Sequence, residues 1–363
     1  MSRKSGPDGP AVRPLPYIAV TVYIKNSECK RARTDKPAPL PEAKRLIYQY
    51  TKRMETHPRR VFIGDIHGRF SKLSRLLAPL LAEEQASPLE LIFIGDLIDN
   101  QPGDDIDHLC VLTTVRALVE AGRARCLMGN HEFNAVGWAT RHPVTGEPLR
   151  PHSENNYRQH RAFLNDVTED SSRHHDWVDW FKTLPLFMDF GDIRAVHACW
   201  DDEALRRLRP WLDENNCLKP ESWQHAFDKK HELYHLVEKV LKGPELSLPQ
   251  GYRFIDKTNI ERTQIRIRWW RNDATTYRHI AQVQPEMVDA IPDIPLTQPW
   301  QGFTGAPVVI GHYTLAGAPE LLSDTVICVD FNAAKGDNPL VGWEYTGSAQ
   351  GVACGRFIVS LGQ

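Results

Sequence analysis

Short apolar runs alternate with segments of helical periodicity from residue 61 onward. The first run, at 61–63, predicts a buried strand, and leucines at 73, 76, 77, 80 and 81 predict a helix over 71–84. Further strands are predicted at 91–94, 126–128, 193–196, 308–310 and 326–329, with a hairpin or sheet edge at 341–345 and 357–359. Further helices are predicted at 105–121, 157–167 and 176–184. This alternation predicts an α/β domain built in layers.

Two parts of the chain depart from this pattern. Residues 200–303 show weak periodicity, many charges and several tryptophans, so we interpret about 201–303 as an insertion into a domain spanning 58–363. Residues 1–57 are rich in proline and basic side chains, which is typical of a mostly disordered extension, and Pro41 would open a short helix near 41–55.

The charge of the chain is divided unevenly. Residues 1–60 hold 14 lysines and arginines against 5 aspartates and glutamates, a net charge of +9, which leaves −11 for the remainder of a chain whose total is −2. We interpret the basic arm as solvated. The alternative is an arm that contacts nucleic acid or another acidic partner.

Polar side chains of metal-binding types follow five of the apolar runs directly. They are Asp65 and His67, Asp96 and Asp99, Asn130 with His131 and Glu132, His197, and His312. Sites in open α/β sheets form beyond the carboxyl ends of strands, so we expect these side chains to meet. A glycine precedes four of the five groups and would let the backbone turn sharply and approach an ion.

The candidate ligands combine oxygen and imidazole donors without a thiolate. They are Asp65, His67, Asp96, Asn130, His197 and His312. Such a set suits Mn, Fe or Zn and differs from the cysteine-rich sets of structural zinc sites. Six ligands suit two ions that share a carboxylate, and the pair would carry positive charge that attracts phosphate. Ions about 3.5–4 Å apart can hold a bridging hydroxide for in-line attack on a phosphoryl group.

The order of these motifs resembles the calcineurin-like metallophosphoesterase superfamily over about residues 60–332. The resemblance is strongest to the branch of the Ser/Thr protein phosphatases and bacterial symmetric dinucleoside tetraphosphatases. Other branches carry a GHxH segment, whereas this chain reads Gly311-His312-Tyr313-Thr314. The resemblance implies an αββα sandwich of two mixed sheets flanked by helices, with the site at the carboxyl ends of the strands.

The resemblance also implies a role for each matched residue. It assigns Asp65 and His67 to a first divalent ion, Asp96 to both ions, and Asn130, His197 and His312 to the second. It makes His131, oriented by Asp99, the acid that protonates the leaving oxygen. The cofactors would be two divalent ions, Mn, Fe or Zn, with Mn expected to serve in vitro.

Asn100 departs from the pattern of that branch. Ser/Thr phosphatases usually read GDxxDR at this place, and their arginine grips the substrate phosphate. Asparagine cannot supply a charged fork of donors, so phosphate binding is weaker or another arginine serves. A strand over residues 264–270 would place Arg266, Arg268 and Trp270 on one face, which makes the two arginines candidate substrate-binding residues. The alternative is an edge strand with solvated arginines.

We therefore expect a metallophosphatase that hydrolyses a phosphate monoester or phosphoanhydride through a metal-bridging hydroxide. Its substrate would be a phosphoprotein, a nucleotide or a small phosphomonoester. The alternatives are a catalytically weak metal-binding module of the same fold and a zinc protease built on HELYH at residues 231–235. No apolar run approaches the roughly 18 residues that span a bilayer. Seven scattered cysteines without a CxxC pair favour reduced thiols and a cytoplasmic location.

Overall fold

The computed structural model describes residues 59–83, 89–101, 103, 105–255, 260–283, 285–349 and 352–360. The basic extension and the helix expected near 41–55 lie outside the described residues, so the boundary between residues 57 and 58 stays a prediction. None of the helices in the described part of the chain combines the length and apolar composition needed to cross a membrane.

The elements of the described residues follow each other in an alternating order. The strands are β1 Arg59–Ile63, β2 Leu89–Phe93, β3 Ala124–Cys126, β4 Phe187–Asp189, β5 Arg194–Val196, β6 Glu245–Ser247, β7 Phe254–Ile255, β8 Glu261–Arg262, β9 Gln264–Arg266, β10 Val308–Ile310, β11 Val326–Cys328, β12 Val341–Ala349 and β13 Val352–Val359. The helices are α1 Phe70–Glu83, α2 His108–Glu120, α3 Asn130–Ala139, α4 Glu154–Val167, α5 Ser172–Phe181, α6 Asp202–Leu208, α7 Trp223–Ala226, α8 Glu232–Lys242 and α9 Tyr277–Ile280.

Two mixed sheets form the centre of the domain. The first has the strand order β13-β12-β1-β2-β3, and the second has the order β11-β10-β5-β4. Strands β1, β2 and β3 run parallel, while β12 pairs antiparallel with β1. In the second sheet β10 runs parallel to both β11 and β5, and β4 is antiparallel to β5. The parallel strands of each sheet therefore deliver their carboxyl ends to a common edge.

Alternate residues of the central strands separate two apolar layers. Phe62 and Ile92 of the first sheet cluster with Val309 and Ile327 of the second. Their strand neighbours, such as Val61, belong to the cluster that contains the helices. Because successive side chains of a strand point to opposite faces, the sheets stack face to face and carry helices outside. This confirms the expected αββα sandwich.

Residues 200–303 contain α6 to α9 and the two small ribbons β6-β9 and β7-β8. The buried side chains of Trp223, Trp269 and Trp270 belong to the same apolar cluster as the helices of the sandwich. The segment therefore shares the main core instead of forming one of its own.

The elements predicted outside the insertion lie within a few residues of observed ones, and four differences stand out. Helix α3 was not expected, because its first turn carries the polar residues that follow β3. Strand β4 was not expected either, and β3 lies two residues before its predicted position. The predicted arginine strand ends at Arg266, and Trp270, expected beside the arginines, is buried against Tyr313 with ring centroids 4.8 Å apart.

Candidate active site

The residues that follow the parallel strands meet at the shared edge of the two sheets. His197 Nε2, after β5, lies 3.3 Å from Asp96 Oδ2, after β2. The backbone N–H of His312, after β10, donates to Asp65 Oδ2 over 3.1 Å. The rings of His67 and His131 are 5.0 Å apart between centroids. The structure thus brings together the side chains that the strand-end pattern singled out.

The backbone at these strand ends adopts conformations that few residues tolerate. Four of the candidate residues have φ in the left-handed region: His67 (50°), Asp96 (52°), Asp99 (67°) and His312 (68°). Each such non-glycine residue costs about 1–3 kcal/mol, and clusters of them are typical of functional sites. The turns point the side chains away from the sheets and into one small volume.

Two of the preceding glycines are needed for close approach. A Cβ at Gly129 would lie 2.2 Å from Asp96 Oδ1, and a Cβ at Gly311 would lie 2.2 Å from Asp65 Oδ1. Both distances are far inside van der Waals contact. Glycine at these positions therefore keeps room for the two carboxylates.

The candidate ligands form two groups that share Asp96. One group is His67, Asp96 and His131, and the other is Asp96, His197 and His312. In each group the potential ligand atoms lie within 4.8 Å of one another. A carboxylate common to two groups is the arrangement that lets one side chain contact two neighbouring ions.

Hydrogen bonds orient the histidines toward this volume. His67 Nδ1 donates to Ile98 O over 2.9 Å, and His197 Nδ1 donates to Ile94 O over 2.8 Å. The bond to Nδ1 fixes the tautomer, so Nε2 of each ring keeps a lone pair for a metal. Asn130 Oδ1 lies 3.2 Å from His197 Nε2.

Asp65 also fits a metal ligand, although neither group contains it. Its Oδ1 is buried and has no hydrogen-bond partner among the described residues. Burial raises the pKa of Asp65 well above its usual value, and the carboxylates of Asp330 and Asp96 raise it further. An orphaned carboxylate oxygen among like charges is an unfavourable arrangement that a bound cation would relieve.

His131 and Asp99, expected to act together, are joined by a hydrogen bond. His131 Nδ1 donates to Asp99 Oδ2 over 2.7 Å. Burial alone would lower the pKa of His131, but the charges of Asp96 and Asp99 raise it to about 9. His131 therefore holds a proton at neutral pH in the metal-free protein, and its Nε2 lies 3.8 Å from Asp96 Oδ2.

Two further residues of the site had no assigned role in the sequence analysis. Glu132 is fully buried, and its carboxylate accepts hydrogen bonds from the backbone N–H groups of Gly129, Asp96 and Leu97 over 2.8–3.0 Å. Its place in the GNHE motif was a signal for this role. His160, on α4, donates from Nδ1 to Asp99 Oδ1 over 2.7 Å. A lone histidine 61 positions from its partner leaves no local signal in the sequence.

The three expected substrate-binding residues lie in different surroundings. Asn100 Nδ2 donates to the carbonyls of His67 and Ala334, both over 3.1 Å. Arg266 Nη1 lies 3.0 Å from His312 Nε2. Arg268 Nε instead donates to Gln282 Oε1 over 3.1 Å. Arg266 is thus the candidate whose charged side chain reaches the imidazole of a candidate metal ligand.

The HELYH segment does not form a metal site in the described residues. His231 is the N-cap of α8, where its Nδ1 accepts from Leu233 N, and Glu232 pairs with Arg207. A zinc protease would need both histidines on one helix face beside a free glutamate. No group of potential ligands among the described residues includes His231 or His235.

Comparison with known proteins finds curated relatives of this chain. The symmetrical bis(5'-nucleosyl)-tetraphosphatase of Hamiltonella defensa subsp. Acyrthosiphon pisum is 27% identical over 180 residues, 44% of this chain and 58% of that protein. The same enzyme of Ralstonia nicotianae is 40% identical over 77 residues, 21% of this chain and 24% of that protein. The chain therefore spans less than two thirds of the length of these relatives.

Solved structures with a similar fold include two phosphatases. The cold-active protein-tyrosine phosphatase of a psychrophilic Shewanella sp. is 14% identical with a TM-score of 0.41, covering 82% of this chain and 80% of that one. A protein serine/threonine phosphatase from Saccharomyces cerevisiae is 11% identical with a TM-score of 0.42, covering 89% and 91%. The family model for calcineurin-like phosphoesterases matches residues 58–253. Since this match covers more than half of the sequence, the chain belongs to the calcineurin-like phosphoesterase family.

Proposed function

We propose that the protein hydrolyses phosphate ester or phosphoanhydride bonds with the help of two divalent metal ions. The observation that carries the proposal is the pair of ligand groups sharing Asp96, one of which contains His131, the histidine bonded to Asp99. Membership of the phosphoesterase family supports the reaction class. The geometry of two ligand groups on one carboxylate, with His67 and His197 oriented by backbone carbonyls, supports an enzyme over a metal-binding module that has lost activity.

The proposed ligands divide between the two ions. His67 and Asp65 would hold one ion, Asp96 would contact both, and Asn130, His197 and His312 would hold the other. Oxygen and imidazole donors of this kind fit Mn, Fe or Zn. When bound, such ions polarise phosphoryl oxygens and make an attacking water more acidic. The chain itself supplies the orientation of the ligands, the acid and a cation for the substrate.

We assign the acid role to His131. Asp99 occupies its Nδ1, so the proton that can be transferred is on Nε2. The side chain is 22% exposed, which lets a substrate oxygen approach the ring. After the proton leaves, Asp99 still accepts from Nδ1 and holds the ring in place. General acid catalysis of this kind is typically worth about 10²–10⁴ in rate.

We assign the phosphate-binding cation to Arg266 in preference to Arg268 and Asn100. Its guanidinium reaches His312, and its nearest carboxylate, Glu245, is 3.9 Å away. Arg268 is engaged by Gln282, and the amide of Asn100 is used by two backbone carbonyls. Arg266 therefore replaces, from a different element, the arginine that relatives carry at the position of Asn100.

This assignment predicts different results for the two arginines. Arg266→Ala should raise the Michaelis constant about ten- to a hundredfold, since a charge-assisted hydrogen bond contributes about 1.5–3 kcal/mol. Arg268→Ala is the matched control on the same segment and should change the Michaelis constant less than threefold. Steady-state kinetics decide the matter. A native Michaelis constant in Arg266→Ala, or a larger change in Arg268→Ala, would contradict the assignment.

The groove beside His312 suggests a substrate larger than a simple phosphomonoester. Its volume is about 2230 Å³, and Arg266, Trp270 and Phe303 contribute to its lining. Small-molecule sites usually measure about 300–1,000 Å³. The names of the tetraphosphatase relatives make nucleoside polyphosphates the first substrates to test, and a phosphopeptide would also fit.

The central experiment measures metal content and turnover together. The Mn-loaded protein should hold two ions and hydrolyse at least one of para-nitrophenyl phosphate, diadenosine tetraphosphate and a phosphopeptide. Asp96→Asn should lose metal and lower turnover about 100-fold or more. Asp166→Asn is the control, because it removes another carboxylate that binds a buried histidine, His108, away from the ligand groups. Native metal content and turnover in Asp96→Asn would refute the proposed centre.

A further inference from the structure

Asp99 accepts one imidazole N–H on each of its two oxygens. Its Oδ2 accepts from His131 Nδ1, and its Oδ1 accepts from His160 Nδ1, both over 2.7 Å. The carboxylate is 3% exposed and the His160 ring is fully buried. The acid pair of the proposed mechanism is therefore the outer part of a chain of three side chains.

The His160 ring is held firmly by its neighbours. It lies on α4 between the indole of Trp138 and the ring of Phe163, with centroids 5.8 and 5.0 Å away. A buried side chain packed against two aromatic rings has no room for another rotamer. Its Nδ1 thus offers Asp99 a donor at one fixed place.

The hydrogen bonds define the state of the His160 ring. An ionised carboxylate only accepts, so the proton between His160 and Asp99 is on Nδ1. His160 Nε2 is buried and has no partner among the described residues. His160 therefore acts as a hydrogen-bond donor that orients Asp99.

We propose that His160 is a positioning residue that fixes the carboxylate plane of Asp99 and, through it, the ring of the acid His131. Without this donor, Asp99 would keep a buried oxygen unsatisfied and could rotate away from His131. The proposal rests on the proposed acid role of His131. Partners of this kind, one contact removed from the reacting groups, typically contribute about 10–100-fold to activity.

The chain offers a matched control for a purely structural role. His174, on the neighbouring helix α5, is also fully buried, but its Nδ1 accepts from Asp170 N and does not contact Asp99. A loss of packing alone would be similar in the two positions. A change in the orientation of His131 would occur only when His160 is replaced.

The experiment compares His160→Leu, His160→Asn and His174→Leu in the Mn-loaded full-length protein. Asparagine places an amide N–H close to the position of Nδ1, whereas leucine has no donor. We expect His160→Leu to lower kcat about 10–100-fold on β-glycerophosphate, whose leaving alkoxide needs a proton, and less on para-nitrophenyl phosphate. KM and metal content should stay native. His160→Asn should recover most of the loss, and His174→Leu should show none of it.

A second measurement does not depend on turnover. In the metal-free protein, the Nδ1 proton of His131 bonded to Asp99 should give a downfield NMR signal, assigned by its absence in His131→Ala. This signal should persist in His160→Asn and shift or broaden in His160→Leu.

Any of three results would overturn the proposal. They are equal losses of kcat on both esters, no rescue by asparagine in a folded variant, and an unchanged His131 proton signal in His160→Leu. If the wild-type protein hydrolyses no phosphate ester, the proposed function fails, and the NMR result still decides the positioning role of His160.

Discussion

Asp96 links the strand ends through its backbone as well as through its carboxylate. Its carbonyl accepts from His67 N over 3.0 Å, and its N–H donates to Glu132 Oε2 over 2.9 Å. Its Oδ1 accepts from His131 N over 3.0 Å, while Oδ2 faces His197. One residue thus connects the ends of β1, β2 and β5 with the start of α3. Replacing it should therefore make the site less ordered as well as weaken the proposed metal binding.

His131 provides a prediction on pH. In EDTA, its ring should titrate near pH 9, because Asp96 and Asp99 raise its pKa against the opposing effect of burial. A raised pKa stabilises the folded, protonated form. The contribution of His131 to the free energy of unfolding should thus be complete below about pH 6.5, its ordinary pKa, and disappear as the pH rises through about 9.

An NMR titration of the imidazole signals measures this directly. Asp99→Asn should lower the midpoint, and added Mn should lower it too, since a cation at Asp96 opposes the protonated ring. A midpoint near 6.5 in the metal-free protein would show that the carboxylates do not act on His131 as described.

At the scale of elements, side-chain donors of Lys72 and Asn100 hold the loop of residues 332–338. Lys72 Nζ, on α1, donates to the carbonyls of Ala333, Gly336 and Asn338 over 2.7–2.8 Å. The Asn100 amide joins the carbonyl of Ala334 to that of His67. This gives a physical account of Asn100: its short neutral amide ties the loop to the segment that carries the candidate ligand His67.

The loop contacts make a prediction about Lys72. Lys72→Met should lower the free energy of unfolding by about 3 kcal/mol, because it leaves three carbonyls, among them the buried one of Ala333, without their charged donor. Lys182→Met, on a half-buried surface residue whose ammonium pairs with Asp179, is the control and should change the free energy of unfolding by less than about 0.5 kcal/mol. Urea denaturation gives both values. Equal stability of the two variants would mean that water replaces Lys72 at no cost.

The sequence predicted the strand ends of the site better than the elements that support them. Asp65, Asp96 and His312 stand next to apolar runs, so their place followed from the chain itself. His160 and Lys72 gave no such signal, because their partners are 61 and at least 261 positions away. Pairings of this kind depend on how α4 and α1 pack, which local patterns do not contain.

At the scale of the whole molecule, the buried carboxylates that would bind metal make the metal-free protein less stable. Asp65 is buried near like charges, and its raised pKa means that its ionised form destabilises the fold at neutral pH. In EDTA at pH 7, Asp65→Asn should therefore raise the melting temperature. The asparagine oxygen can still accept from His312 N.

Added Mn should make the wild-type protein more stable than Asp65→Asn. The wild-type protein should gain about 2.7 kcal/mol at a hundredfold excess of metal over its dissociation constant. Asp65→Asn should gain clearly less. Thermal unfolding with and without Mn tests both parts, and a variant that is less stable than wild type in EDTA would contradict the electrostatic account.

The basic extension remains outside the described residues, and its role is open to a simple test. Deletion of residues 1–40 should leave turnover of para-nitrophenyl phosphate and the melting temperature unchanged, because every proposed ligand lies after residue 60. A collapse of either quantity would show that part of this segment belongs to the core.

The pairing of β1 with β12 has a consequence for how the protein is made. Arg59 and its partner Glu344 lie 285 positions apart, so β1 emerges from the ribosome long before its antiparallel neighbour. At about 5–20 residues per second, the interval is about 15–60 s. During that time the backbone edge of an apolar strand is available to other nascent chains. A chain that stops before residue 341 would keep this edge open permanently, and open edges of this kind drive aggregation.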